Sequence, residues 1–508
     1  MKKNILDYFE ETLEKSADKI AVVHNDENIS FRELERKAKN VAGVILNSTD
    51  NVMNRPIAVF MPKTINTVIA DIGIAYSCNA FMNLDVKTPV ERIQNILALA
   101  QPSIIIINQK FKDKIGKTDI PIFDIEEMIV TEIDNDSLLY EKRFHMIDTD
   151  PFCIINTSGS TGTPKGVILN HRSFFDFMSW SIERFGLDGS EIIGSLSPVV
   201  FDIYDFELCL LMFKGAQMVL LDASLASFPA RLLEMMNNKK VSFIFWVPSI
   251  MVNIANMELL DRIPLKTLKL VWFAGEVFPT KQFLYWYDKL PETTFANLYG
   301  PIEITLDCTY YVVESRPSEN EPLPIGVPCE NTDIFILNDE DAVCDAGEEG
   351  ELCVRGTSLA MGYYNNPPKT EAAFTQNPLN HSYPELIYRT GDLVYLGEEG
   401  QIHFKGRKDS LVKHMGYRVE LGEIEHVIIN DLKLVKYCCV VYQYEKKEII
   451  IFYESENEIS VTDFRKSLST VFPAYMVPSR YIRMDLLPRN TNGKIDRLTL
   501  KEKVNKEE

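Results

Sequence analysis

Residues 153–167 read Cys-Ile-Ile-Asn-Thr-Ser-Gly-Ser-Thr-Gly-Thr-Pro-Lys-Gly-Val. An apolar run that suits a buried strand gives way to Gly and hydroxyl residues and then to Lys165. Between Thr157 and Gly166 there are three glycines and five hydroxyl side chains. Glycines let backbone N–H groups approach phosphate oxygens, hydroxyls add donors, and a lysine adds charge. This is not a Walker loop: that pattern requires Gly-Lys-Ser/Thr, whereas here Pro164 precedes Lys165 and Gly166 follows it. A strand feeding a phosphate loop calls for an α/β fold. The surrounding chain agrees. Short apolar runs at Arg55–Met61, Ser103–Ile107, Met218–Leu221, Val241–Trp246 and Leu268–Phe273 alternate with helical patterns. Such runs suit strands of parallel sheets covered by helices on both faces. From about Cys329 to Val354 and Val394 to Phe404 the strands crowd together around Gly-rich turns, which predicts a smaller antiparallel region.

The chain has 508 residues, 46% of them apolar and 25% charged, an ordinary globular composition. The formal charge is −20, which argues against nonspecific nucleic-acid binding and against anionic lipid. The charge is uneven. Residues 410–508 hold 16 basic and 15 acidic side chains, while the remainder has a net charge of −21. Nine cysteines lack any Cys-x-x-Cys spacing, so a disulfide framework or structural zinc is not expected. The N-terminal stretch reads as an amphipathic helix rather than a leader, and no apolar run reaches membrane-spanning length. These features point to a reducing, cytoplasmic compartment and no membrane insertion.

The loop at 157–166 resembles the phosphate loop of the adenylate-forming superfamily, which takes in acyl-CoA synthetases, luciferases and nonribosomal peptide adenylation domains. Further segments similar to that family's motifs follow in order: Ser30–Leu34, Tyr299-Gly-Pro-Ile-Glu303, Tyr388-Arg-Thr-Gly-Asp392, Gly406-Arg-Lys-Asp409, Gly416–Glu425 and Asn490–Arg497. The resemblance implies a large α/β N-terminal core over residues 1–405, with mostly parallel, helix-covered sheets and a small β-barrel-like subdomain at about 325–405. It also implies a hinge at 406–409 carrying Asp409, and a mobile α+β C-terminal lid at 410–508.

It further implies ATP and Mg2+. A carboxylate attacks the α-phosphorus, pyrophosphate leaves, and a thiol then takes the acyl group from the adenylate. Such chemistry needs positioning and charge more than a proton shuttle. By resemblance, Thr157, Ser158, Gly159, Ser160, Thr161, Gly162 and Lys165 hold phosphates. Asn297, Leu298, Tyr299, Gly300, Pro301 and Ile302 hold the nucleotide, and Glu303 ligates the metal. Asp392 takes the ribose hydroxyls, Arg407 contacts the nucleotide, and Lys494 bridges the substrate carboxylate and the nucleotide. Ile302 departs from the family's usual threonine and removes a hydroxyl donor.

Phe201–Glu207 is similar to the segment that, in amino-acid-activating members, binds the substrate ammonium, placing that role on Asp202. Phe206, Trp272, Ala274, Leu306 and Asp307 would line the same pocket. The bulky aromatic residues favour a small, D-alanine-like amino acid, while Asp307 either meets a polar or cationic side chain or faces away. The chain runs only about 14 residues past Lys494, so an acidic phosphopantetheinylated carrier protein is expected in trans. The resemblance thus implies an amino acid–carrier protein ligase like D-alanine–D-alanyl carrier protein ligase. An acyl- or aryl-CoA ligase of the same fold and a non-catalytic adenylate-binding scaffold stay open as alternatives.

Overall fold

The computed structural model describes residues 2–133, 136–157, 164–408, 411–455, 459–489 and 495–505. Two large sheets carry the structure. One has seven strands in the order Gly362–Tyr363, Lys165–Asn170, Pro151–Thr157, Ala80–Leu84, Pro56–Phe60, Ile105–Ile107, Ile122–Asp124. Its last five strands are parallel neighbours, and Lys165–Asn170 pairs antiparallel with Pro151–Thr157. The other has nine strands. Its parallel centre runs Ile20–His24, Gln217–Leu220, Ile192–Ser195, Phe243–Trp246, Leu270–Phe273, Thr294–Tyr299. The expected mixed α/β architecture with mostly parallel, helix-covered sheets is what the chain forms.

The apolar runs become strands because both of their faces are covered. Every residue of Phe243–Trp246 and of Leu270–Phe273 is buried. Helices supply the cover. Ile5–Ser16 is capped by Asn4, whose side chain accepts the Asp7 N–H, and it buries Ile5, Leu6, Phe9 and Leu13. Trp246, Trp272 and Trp286 are the largest fully buried side chains. Trp246 donates its indole N–H to the Gly194 carbonyl and Trp286 to the Met251 carbonyl, so these two buried rings have their polar atoms paired.

A smaller antiparallel sheet follows, built from Thr332–Leu337, Gly350–Gly356, Leu386–Leu396, Phe374–Gln376 and Ile402–Arg407. Beyond it the hairpin Leu411–His414/Tyr417–Glu420 and the three-stranded sheet Tyr437–Gln443, Glu448–Glu454, Arg480–Met484 enclose a separate apolar cluster that includes Val419, Ile424, Val440, Ile451 and Phe464. This C-terminal part meets the rest through a buried ion pair, in which Arg92 donates to Glu423 at 2.6 Å. Among the described residues no helix is long and apolar enough to cross a membrane.

Removing one partner of a buried ion pair costs more than the pair contributes, because the other charge is stranded. Arg92→Met should therefore lower stability by about 3 kcal/mol. The check is the urea midpoint of the full chain, with Glu423→Gln in the Arg92→Met background recovering part of the loss.

Candidate active site at the sheet edges

The parallel strands of both sheets end on one cleft, the usual ligand position in open α/β sheets. Leu84, Asn156, Thr157, Val247, Ala274 and Gly300 line it from those ends. The far wall comes from the small sheet and the C-terminal hairpin, through Asp392, Arg407, Leu411, Lys413, Gly416, Tyr417 and Arg418.

The strongest charge cluster centres on Glu303. Its turn, Ile302–Ile304, follows the strand Thr294–Tyr299 and the Gly300-Pro301 step. A Cβ on Gly300 would lie 2.4 Å from the Leu306 carbonyl and 2.5 Å from the Asp307 Cα, so only glycine lets the two segments pack there. Thr305 and Leu306 adopt φ of 55° and 67°, a strained left-handed turn that returns the chain to the cleft. The Glu303 carboxylate is fully buried and accepts from Lys165 at 3.2 Å, Tyr363 at 2.8 Å and Arg418 at 2.7 Å. Burial pushes its carboxyl up, but Arg418 and Lys165 override that and hold it well below the usual carboxylate range. Burial lowers the Lys165 ammonium, and Glu303 opposes the shift.

A second carboxylate, Asp392, is buried on the strand Leu386–Leu396. It accepts hydrogen bonds from the Tyr299 hydroxyl and from Arg407, its cross-strand partner. Arg407 also donates to the Thr390 carbonyl at 3.0 Å. The third, Asp202, is half-buried in the first turn of the helix Asp202–Lys214. Burial raises its carboxyl to about 6, against the pull of Lys413 and of backbone N–H groups in that turn.

Of the residues expected from the sequence, Thr157, Gly300, Pro301, Ile302, Asp392, Arg407, Asp202, Ala274, Leu306 and Asp307 all line this cleft. Lys165 and Glu303 stand beside it, joined to it through Arg418. Others do not reach it. Phe206 lies one helical turn beyond Asp202 and is fully buried against Trp272, ring centres 5.0 Å apart, in a layer shared with Phe243 and Phe245. Phe206 and Trp272 are thus the floor beneath the pocket wall rather than the wall. Asn297 donates to the Pro324 carbonyl at 2.8 Å, Leu298 is core, and Tyr299 acts through Asp392. Ser158, Gly159, Ser160, Thr161, Gly162, Asp409 and Lys494 lie outside the described residues.

The hairpin contributes what sequence reading missed. Gly416–Glu425 was legible as a motif, but nothing in it marked Arg418 as a partner of Glu303. Lys413 lines the cleft and makes no hydrogen bond or ion pair among the described residues, although Asp392 and Asp307 both act on it electrostatically. Gly416 brings the hairpin close: its φ is 83°, its N–H donates to Glu276 at 2.8 Å, and a Cβ there would meet Val247 at 2.9 Å. Tyr417 stacks on Tyr475 with ring centres 3.7 Å apart.

The cleft sets an ionised carboxylate between two cations beside the Asp392–Arg407–Tyr299 corner and a half-buried aspartate. Residues 9–364 match the AMP-binding enzyme family, and the chain belongs to that family of the adenylate-forming superfamily. It is 31% identical to tyrocidine synthase 1 of Brevibacillus parabrevis over 98% of this chain and 45% of that protein. It is 30% identical to zwittermicin A synthase ZmaJ of Bacillus cereus over 97% of this chain and 93% of that protein. The chain therefore spans less than half the length of the first relative and nearly all of the second. In fold it is similar to the Vibrio cholerae adenylation domain AlmE in complex with glycyl-adenosine-5'-phosphate (TM-score 0.81, 20% identity, 99% of this chain and 98% of that one). It is also similar to o-succinylbenzoate CoA synthetase of Bacillus subtilis (TM-score 0.84, 20% identity, 99% and 98%).

The raised Asp202 carboxyl gives a pH signature. An aspartate that receives an ammonium must be ionised; it is so above about pH 6 and protonated below. The KM for an amine-bearing substrate should rise about tenfold per pH unit below that value. Steady-state kinetics at pH 5 to 8, with the KM for ATP as the internal control, checks this.

Proposed function

We propose that this chain uses ATP to activate an amino acid as its aminoacyl-adenylate and passes it to the phosphopantetheine thiol of a separate, acidic carrier protein. The observation that carries this reading is the meeting of Asp202, Asp392 and the Glu303–Lys165 pair at one cleft. Asp202 receives the α-ammonium, and an unpaired buried carboxylate would penalise substrates without one. Asp392 exchanges its Tyr299 and Arg407 partners for ribose hydroxyls or shares them. The substrate carboxylate attacks the α-phosphorus, the bond to pyrophosphate breaks, and Lys165 and Lys494 balance the charge that moves. In the second step the thiol sulfur bonds to the acyl carbon, AMP departs, and the thiol proton is lost.

Glu303 fits a hard cation. Its carboxylate is ionised and buried, and Mg2+ commonly uses one or two protein carboxylates plus substrate phosphates. Arg418 now neutralises that carboxylate, so a cation there requires the guanidinium to withdraw. When bound, Mg2+ supplies charge neutralisation for the phosphates. On this reading the chain divides into a core of residues 1–405, a hinge at 406–409 with Asp409 as its pivot, and a lid of 410–508. The arrangement described here, with Lys413 and Arg418 in the cleft, then belongs to the thiol-transfer half of the cycle. Close to Lys494, Ile495 pairs with Arg489 and Arg497 donates to Glu425 and to the Val440 carbonyl, all within residues 411–505. A cytoplasmic setting supplies the ATP.

The volume argument for a D-alanine-like substrate is weakened, because Phe206 and Trp272 stand behind the wall and Phe245 alone of these three aromatic residues lines the cleft. A small amino acid stays within the reading. The fold alone is shared with a CoA synthetase, so Asp202 decides between an amino acid and an acid without an amine as the substrate activated.

ATP–pyrophosphate exchange over D- and L-amino acids, with acetate and benzoate as controls, tests the proposal. Asp202→Ala should lower kcat/KM for the preferred amino acid by roughly 10²-fold or more; an unaffected enzyme would favour an acyl- or aryl-CoA ligase. Lys494→Ala should abolish exchange and spare transfer from preformed adenylate, and equal loss of both steps would contradict the division of labour.

A further inference from the structure

Asp307 is a second carboxylate at the same cleft. It is 4% exposed and lines the cavity together with Asp202, Ile203, Ala274 and Leu306. Among the described residues no hydrogen-bond donor reaches its carboxylate; the one hydrogen bond at this residue is to its backbone carbonyl, from the Cys329 thiol. Lys413 acts on it from a distance but forms no ion pair with it. The strained turn at Thr305 and Leu306 delivers this side chain to the pocket. A buried carboxylate with no donor is costly to keep, and a protein does not gain stability from it. Most of its surroundings are apolar, and the nearby acidic group, Asp202, only adds repulsion.

We propose that Asp307 is a specificity-determining residue and that the amino acid this chain activates carries a second amino group, on its side chain, which Asp307 receives. The proposal rests on the reading that Asp202 receives the α-ammonium. The second ammonium gives the Asp307 carboxylate the donor that it lacks among the described residues. Burial and the neighbouring Asp202 push the Asp307 carboxyl up against the pull of Lys413, and a second ammonium beside it favours the ionised form.

The test is ATP–pyrophosphate exchange with the full chain over matched pairs in both stereochemical series. The pairs are 2,3-diaminopropionate with 2-aminobutyrate, 2,4-diaminobutyrate with norvaline, and ornithine with norleucine; alanine, serine and asparagine serve as neutral references. The expected result is a kcat/KM at least about 10²-fold higher for the diamino member of the best pair than for its neutral partner. In Asp307→Asn that ratio should fall to within a few-fold, chiefly through a higher KM for the diamino member. The variant should unfold at or above the wild-type temperature, because it removes a buried carboxyl that no donor among the described residues reaches. Neutral members matching or exceeding the diamino members in the wild type would overturn the proposal, as would a preference for serine or asparagine, or a ratio unchanged in Asp307→Asn. Exchange with neutral amino acids alone overturns this inference and leaves amino acid activation standing. Exchange with no amino acid at all overturns both.

Discussion

A fully buried carboxylate held ionised by two cations is the constraint around which the cleft is arranged. Glu303 has Lys165 from the strand after the phosphate loop on one side and Arg418 from the C-terminal hairpin on the other. Neither cation alone would justify burying the charge, since stranding one member of such a cluster costs about 3–5 kcal/mol. The three segments are far apart in sequence, so the cluster ties the phosphate-loop sheet, the nine-stranded sheet and the hairpin to one point. The local backbone is shaped to permit it: glycine at 300, left-handed turns at 305 and 306, and glycine at 416.

The same cluster gives the hairpin a functional meaning. Arg418 sits on the carboxylate that a phosphate-bound cation would use, and Lys413 enters the cleft without an ion pair among the described residues. Under the proposed cycle, docking the hairpin and loading metal–nucleotide draw on one acceptor and exclude each other. The Arg92–Glu423 pair sets the opposing cost of moving the hairpin away.

The sequence made much of this legible. Apolar runs such as Phe243–Trp246 and Leu270–Phe273 announce parallel strands because both faces are covered, and the ordered motifs placed Glu303, Asp392, Arg407 and Asp202 around one cleft. Some features were not legible. Phe206 and Trp272 carry no local mark that distinguishes a pocket wall from the layer beneath it; that depends on packing with Phe243 and Phe245. Arg418 looks like any arginine in a turn until the hairpin is docked. Asp307 was seen as odd from sequence, and only its burial and its lack of a donor turn that oddity into a statement about substrate charge.

Competition for Glu303 is the central claim, and calorimetric binding of Mg2+ with α,β-methylene ATP to the wild type and to Arg418→Met tests it most directly. The account predicts about tenfold tighter binding by the variant, because no guanidinium has to leave the carboxylate; a tenfold change corresponds to about 1.4 kcal/mol. Unchanged or weaker binding would contradict it.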